Sequence, residues 1–204
     1  MIDLYAAGTS NGMRARMALE ECALPYKLHP IALDKGEHKT PQFLALNPNG
    51  QIPVIIDHEG PGGRPLTLTQ SSAILVYCAE KSGKLMPKDG AARAGMWQAL
   101  MSASTDITPG IGAIFAVMRS KEPHAPTANM FKERFKQYLK VWDSALGRQR
   151  YAAGAEMTIA DISLYAGWVR IKGAAAELCE GLPNMERWAG EMAARPAMQR
   201  AVKF

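Results

Sequence analysis

Strand patterns are confined to the first 80 residues of this 204-residue chain, so any sheet must be built from that part alone. Short apolar runs predict strands at 2–6, 28–33, 52–57 and 66–68, and helical patterns lie at 12–23, 41–46 and 71–82. A strand–helix–strand unit followed by a hairpin and a covering helix predicts one mixed four-stranded sheet with helices on both faces. The proline of the second run favours an edge position for that strand.

From Pro87 onward the strand patterns are absent. Apolar residues recur at helical spacing over 130–146, and 93–118 is also helical in pattern, with a bend or interruption expected at its Pro-Gly pair. The run Thr-Ile-Ala-Asp at 158–161 has the residue types of a helix-starting capping box. We therefore predict an α/β domain over 1–84, a linker over 85–90 and an all-helical domain over 91–204.

Composition excludes several classes of protein. Hydrophobic residues make up 48% and charged residues 21% of the chain, which is typical of a folded domain and not of a disordered one. No uninterrupted apolar run approaches the roughly 18 residues that span a bilayer, so we expect no membrane association. No secretory leader is expected, because the first residues show no basic region followed by an apolar stretch. Three cysteines, none of them in a C-x-x-C pair, do not form a disulfide framework. These observations favour a reduced, cytoplasmic protein.

The net charge of +5 is distributed unevenly along the chain. Residues 1–80 contain 6 Lys and Arg against 8 Asp and Glu, while residues 81–204 contain 18 against 11. A basic half can indicate nucleic-acid binding, but no nucleic-acid motif or aromatic–basic platform accompanies it here. We therefore predict no nucleic-acid partner, and most of the basic side chains are interpreted as a solvated helix face.

Three polar stretches of the first half are candidate contacts for a small polar ligand. The stretch 8–12 (GTSNG) precedes the first helix, where amides, hydroxyls and the helix dipole favour an anion, although an ordinary N-cap turn has the same pattern. The stretch 49–53 (NGQIP) leaves the backbone of Ile52 free to pair with an extended ligand, or its proline only begins a strand. The stretch 70–72 (QSS) precedes another helix and is equally common as a cap.

Taken in order, four motifs resemble the glutathione transferase family: LYAAGTSNGMR, FLALNPNGQIPVI, LTQSSAILVYCAE and TIAD. Each motif is weak alone, but the four occur with that family's order and spacing over nearly the whole chain. The run TSNGMR is most similar to the bacterial Nu-type enzymes, several of which are glutathione-dependent disulfide reductases. The resemblance implies a thioredoxin-like N-terminal domain, an all-helical C-terminal domain and a homodimer.

The resemblance also implies a set of glutathione contacts. It places Ile52 before a cis-Pro53, pairing its backbone with the cysteinyl unit, and Gln70 and Ser71 on the γ-glutamyl end, with the carboxylate at a helix N-terminus. It places Thr9 and Asn11 near the sulfur. The remaining positions that match glutathione contacts are Gln51, His38 and Arg134.

The chemistry that the resemblance implies is activation of the glutathione thiol. A free thiol has a pKa of about 8.5, so a hydroxyl, an amide or a backbone N–H is needed to stabilise the thiolate. Thr9 and Asn11 are the first candidates and Ser10 the second, while Tyr5 is interpreted as a packed strand residue. The thiolate would attack a disulfide or an electrophilic carbon, with organic peroxide reduction as a companion activity. The alternative is a non-catalytic, transferase-like binding or scaffolding module.

Overall fold

The computed structural model describes all residues, 1–204, and its sheet has the predicted four strands. They are β1 (Ile2–Ala6), β2 (Tyr26–Pro30), β3 (Val54–Asp57) and β4 (Leu66–Thr69), in the spatial order β2-β1-β3-β4. Strand β1 pairs in parallel with β2 and antiparallel with β3, and β3 pairs antiparallel with β4. The mixed sheet and the edge position of the proline-containing strand are confirmed. Strand β2 begins two residues earlier than predicted, because its ladder starts where Ile2 pairs with Tyr26.

Three helices complete the α/β part of the chain: α1 (Ser10–Cys22), α2 (Pro41–Leu46) and α3 (Ser71–Ser82). Helices α1 and α3 pack against each other. Their buried faces contribute Met17, Leu19, Ile74 and Leu75 to the core, each fully excluded from solvent. The packing of α1 against α3 holds the two helices together, and the candidate site lies at their N-termini.

The rest of the chain is helical, as predicted. Its helices are α4 (Gly90–Ser102), α5 (Thr108–Met118), α6 (Ala125–Leu146), α7 (Ile159–Lys172), α8 (Pro183–Ala193) and α9 (Pro196–Ala201). The fold is thus a thioredoxin-like α/β domain and an all-helical domain. Helix α7 begins with the expected capping box, in which the Thr158 amide donates to the Asp161 carboxylate at 2.8 Å.

The chain divides into two compact units whose limits differ from the predicted boundaries at one segment. Residues Met1–Leu85 group with Ala193–Phe204 in the first unit, and Met86–Met192 form the second. The C-terminal segment joins the first unit because α9 packs on α1. Two ion pairs accompany this packing: Arg195 binds Glu21 through two hydrogen bonds of 2.7 Å, and Arg200 binds Glu20 at 2.7 Å.

A π-helical turn over Ala103–Ile107 interrupts the helical stretch between α4 and α5. The interruption lies just before Pro109, which lacks an amide hydrogen and clashes with the preceding turn of a regular helix. The stretch Gly90–Met118 contains an 18-residue window that is long and apolar enough to cross a membrane, and 28% of that window is buried. Core helices of other proteins pass the same test, so the expected lack of membrane association stays a prediction.

Candidate active site

The turn before α1 presents the Thr9 hydroxyl at the helix N-terminus. Thr9 is the N-cap residue, and its Oγ1 accepts a hydrogen bond from the Gly12 amide at 3.1 Å. Its carbonyl oxygen accepts from the Met13 amide at 2.8 Å. Gly12 is required for this close turn, because a Cβ there would lie 2.0 Å from the Ala7 carbonyl oxygen. Since Oγ1 serves the cap as an acceptor, its own hydrogen is left to donate to a ligand.

Asn11 connects the start of α1 to the start of α3. Its Oδ1 accepts from Arg14 Nη1 at 2.9 Å and from Ser71 Oγ at 3.4 Å. With two donors on Oδ1, the Nδ2 group faces away from both and keeps its two N–H donors for a ligand. Thr9 and Asn11 are both half-buried, and Ser10 lies between them as the first residue of α1. The structure therefore brings the three predicted thiol-activating residues and Ser71 together.

The N-terminus of α3 has no side-chain cap. Gln70 makes no side-chain capping bond, and its φ of 67° and ψ of 111° are strained for a residue with a side chain. A conformation of this kind costs about 1–3 kcal/mol and is found mainly at functional sites. Ser71 is 8% exposed. The first amides of a helix lack carbonyl partners within it, and together with the helix dipole they suit a carboxylate.

The loop before β3 presents the backbone of Ile52. The Ile52–Pro53 peptide is cis, which confirms the expectation from the family resemblance. The ladder between β1 and β3 ends at the pair Tyr5–Val54, so the N–H and C=O of Ile52 lie beyond the sheet pairing. Asn47, itself 4% exposed, holds the loop by donating to the Gln51 carbonyl oxygen at 2.6 Å. An extended peptide-like ligand can therefore pair with Ile52.

His38 lies next to this loop, in a single 3-10 turn over Glu37–Lys39. A Cβ added at Gly50, where φ is 58°, would lie 2.9 Å from the His38 carbonyl oxygen, so the two segments are in close contact. The His38 Nδ1 atom is buried and has no hydrogen-bond partner. A buried ring nitrogen without a partner is one that a bound polar ligand can satisfy.

Arg134 lies on α6, in the second unit, and is exposed there. Its Nε donates to the Tyr138 hydroxyl at 2.7 Å, and the guanidinium lies 5.7 Å from the centre of that ring. The hydrogen bond to Tyr138 raises the pKa of Arg134 above its already high ordinary value. Arg134 is therefore permanently charged. It is the one predicted glutathione contact in the second unit, since the others all belong to the first.

The protein's own thiols are unsuited to nucleophilic chemistry. Cys22, Cys78 and Cys179 are all buried, and burial is the main cause that raises the pKa of each. The pKa of Cys179 rises to about 11. A thiol of this kind is almost fully protonated at neutral pH and therefore a poor nucleophile. The prediction that Cys22 and Cys78 are core residues is confirmed.

Tyr5 behaves as a packed strand residue. Its ring stacks on His29 with centroids 4.6 Å apart. Burial raises the pKa of its hydroxyl, with a smaller contribution from Asp3. A raised pKa does not in itself prevent a tyrosine hydroxyl from donating, but the stacking on His29 is sufficient to explain the position of the Tyr5 side chain as packing.

No group of three His, Cys, Asp or Glu side chains in the chain is placed to hold a metal ion.

Sequence reasoning missed Arg14. It lies three residues after Asn11, so one helical turn places both side chains on the same face of α1. It is 1% exposed and donates to Asn11, yet the pattern around it reads only as the apolar face of a helix. The available indication was a lone arginine among Met13, Ala15 and Met17, where a charge is costly unless it has a partner.

Two regions of the chain match family models. Residues 10–81 match the model described as "Glutathione S-transferase, N-terminal domain", and residues 106–202 match the one described as "Glutathione S-transferase, C-terminal domain". The two matched regions together make up well over half of the chain.

Individual relatives are similar over almost their full length. The disulfide-bond oxidoreductase YfcG of Escherichia coli is 32% identical over 204 residues, which covers 99% of this chain and 94% of the relative. A crystal structure of a glutathione transferase family member from Pseudomonas fluorescens, with two glutathione bound, has a TM-score of 0.94 and 33% identity, covering 99% of this chain and 92% of that one. A glutathione transferase from Pseudomonas putida, with one glutathione disulfide bound per subunit, has a TM-score of 0.92 and 33% identity, covering 100% and 91%.

Proposed function

Because the chain belongs to the glutathione S-transferase family, we propose that it is an enzyme that ionises the thiol of bound glutathione and uses it chiefly to reduce disulfides. The observation that carries the proposal is the pair of unused donors at the start of α1. The Thr9 hydroxyl and the Asn11 amide each have their acceptor atom occupied and their hydrogens left over. Donors held in this way stabilise an anion without themselves reacting.

The glutathione tripeptide is proposed to lie along the exposed features of the first unit. The backbone of Ile52 pairs with the cysteinyl unit, since it lies beyond the strand ladder. The γ-glutamyl carboxylate lies on the first amides of α3, next to Gln70 and Ser71. His38 and Gln51 complete the contacts, with the unpaired Nδ1 of His38 supporting a polar partner there.

The reaction begins with the thiolate as nucleophile. It attacks one sulfur of the substrate disulfide, a new S–S bond forms, and the other sulfur leaves as a thiolate that takes up a proton. A second glutathione thiolate then attacks the glutathione sulfur of the mixed disulfide, giving glutathione disulfide and the second substrate thiol. Structures of similar proteins that hold two glutathione or one glutathione disulfide support this stoichiometry. With an electrophilic carbon, the same thiolate forms a C–S bond and displaces the leaving group.

Steady-state turnover of a small disulfide with glutathione tests the proposal, with a model electrophile as second substrate. The wild-type protein is expected to turn over the disulfide faster than the electrophile. Asn11→Ala lowers turnover with both substrates and leaves the protein folded, although the free energy of unfolding falls by about 1–3 kcal/mol because the buried Arg14 loses one hydrogen-bond acceptor. Glutathione binding without turnover of either substrate would instead identify a non-catalytic binding module.

Arg134 and the self-association of the chain are proposed as well. Arg134→Gln is expected to raise the KM for glutathione, and an unchanged KM would remove Arg134 from the contacts.

Large apolar side chains are exposed on the helices of the second unit at Met101, Met118, Met130 and Val141. Exposed apolar side chains of this size are often covered by a second copy of the chain, so we propose a homodimer. A monomer in sedimentation equilibrium would contradict this. The three free cysteines favour a reducing compartment, so we propose that the protein acts in the cytoplasm.

A further inference from the structure

Arg14 is a charged side chain in an apolar environment. It is 1% exposed, on the face of α1 that also buries Met17 and Ala18. Burying a guanidinium is costly unless hydrogen bonds compensate for the lost water. One compensating bond goes from Nη1 to the Oδ1 atom of Asn11, at 2.9 Å. The buried Arg14 guanidinium thus contacts Asn11, a residue of the candidate site.

The chemistry of the two groups fixes the orientation of the Asn11 amide. A guanidinium has donors only, so it can bind the oxygen of the amide and not its NH₂ group. If the amide were turned over, Arg14 Nη1 would face two N–H donors and the bond would be lost. The Ser71 hydroxyl also donates to Oδ1, at 3.4 Å, but a hydroxyl could equally accept from the NH₂ group, so the orientation is selected by Arg14.

We propose that Arg14 is a positioning residue for thiol activation, holding the Asn11 amide so that Nδ2 points its hydrogens at the glutathione sulfur. This inference rests on the proposed function. Arg14 itself does not touch the substrate and acts only through Asn11. An Asn11 amide that is free to rotate would present Oδ1, an acceptor, to the thiolate for part of the time, and the anion would be destabilised.

The guanidinium keeps its charge over the range in which a thiol titrates. Burial lowers the pKa of Arg14 to about 10, which is still above the roughly 8.5 of a free thiol. Its hydrogen bond to Asn11 is therefore charge-assisted both before and after the thiol ionises, and such bonds are shorter and stronger than neutral ones. The amide orientation is thus held over the pH range in which the thiol titrates.

The test compares Arg14→Met, which has no donor, with Arg14→Lys, which retains a charged donor, in disulfide turnover with glutathione. Arg14→Met is expected to lower kcat at least about tenfold with the KM for glutathione within about twofold. The acidic limb of its kcat–pH profile moves to higher pH, since the thiolate is less stabilised. Arg14→Lys recovers a large part of kcat. Arg195→Met, which breaks the bidentate pair between α9 and the far end of α1, is the matched control and leaves kcat and the pH profile unchanged.

A double-mutant cycle with Asn11→Ala separates positioning from a merely structural role. If Arg14 acts through Asn11, Arg14→Met costs little further kcat once Asn11 is alanine. Should Arg14→Met not fold, Arg14→Gln takes its place, since an amide can donate or accept and no longer selects one orientation of Asn11. Additive losses, or an unshifted pH profile in the folded variant, would overturn the inference. A wild-type protein without turnover would instead overturn the proposed function.

Discussion

The Thr9 hydroxyl has two separable tasks, because its oxygen and its hydrogen serve different partners. The oxygen accepts from the Gly12 amide at 3.1 Å and caps α1, while the hydrogen is proposed to bind the glutathione thiolate. Thr9→Val, which keeps the shape and removes the hydroxyl, is therefore expected to affect both stability and activity. Loss of an N-cap lowers the free energy of unfolding by about 1 kcal/mol.

The effect on activity follows from the strength of a hydrogen bond to an anion. Such a bond contributes about 1.5–3 kcal/mol, so its loss moves the pKa of the bound thiol up by about 1 to 2. The corresponding fall in kcat/KM at neutral pH is about 10- to 150-fold. Urea unfolding measures the first effect, and steady-state kinetics with glutathione and a small disulfide measure the second.

Two companion variants separate the tasks. Thr9→Ser keeps both the acceptor and the donor, so its stability and kcat/KM remain close to those of the wild type. Thr9→Asp keeps the acceptor that caps the helix, and its charge suits the helix N-terminus, so it stays folded while losing the donor and repelling the thiolate. A wild-type kcat/KM in Thr9→Val, or an active Thr9→Asp, would refute the role given to the hydroxyl.

Three further predictions concern stability and the protein's own thiols. Asp161→Ala removes the acceptor of the Ala152 and Thr158 amides and of a buried indole N–H, so the free energy of unfolding falls by at least about 3 kcal/mol in urea titration; a loss below about 1 kcal/mol would contradict this. Iodoacetamide at neutral pH leaves activity intact, because all three cysteines are buried with raised pKa; inactivation that glutathione prevents would place a cysteine in the mechanism. Hydrogen bonds from His58 and His29 lower the pKa of Asp3 below its ordinary 3.8. The stabilisation that these bonds give the folded state is complete above pH 3.8 and is lost as the pH falls through the lowered pKa. Acid unfolding of Asp3→Asn should therefore show a smaller loss of stability below pH 3.8 than that of the wild type.

The strands, the helices and the helix-starting turns follow from local sequence features. Strand runs, a proline at an edge and helix-starting Thr9 and Thr158 are determined by neighbours within a few positions, so local pattern is sufficient to find them. The turn at 8–12, which is proposed to activate the thiol, was identified through the family resemblance, because the order and spacing of four motifs carry more information than each motif alone.

Features that depend on distant contacts were not predictable in this way. The grouping of Ala193–Phe204 with the first unit depends on packing of α9 against α1 and on ion pairs such as Arg195–Glu21, which join residues 174 positions apart. The role of Arg14 depends on a side-chain rotamer and on burial, neither of which a helical pattern specifies. A bend or interruption was expected at the Pro109–Gly110 pair. The structure has a π-helical turn over Ala103–Ile107, just before the proline, because the turn preceding a proline cannot keep regular helical geometry.

The proposed function depends on the ionisation state of bound glutathione. Ultraviolet difference absorbance of the thiolate, recorded on the wild-type complex as a function of pH, reports the pKa of the bound thiol itself. We predict a pKa well below the roughly 8.5 of a free thiol, with most of the bound glutathione ionised at neutral pH, and a higher pKa in Thr9→Val and Asn11→Ala. A bound thiol that titrates as it does in solution would show that Thr9 and Asn11 do not activate it.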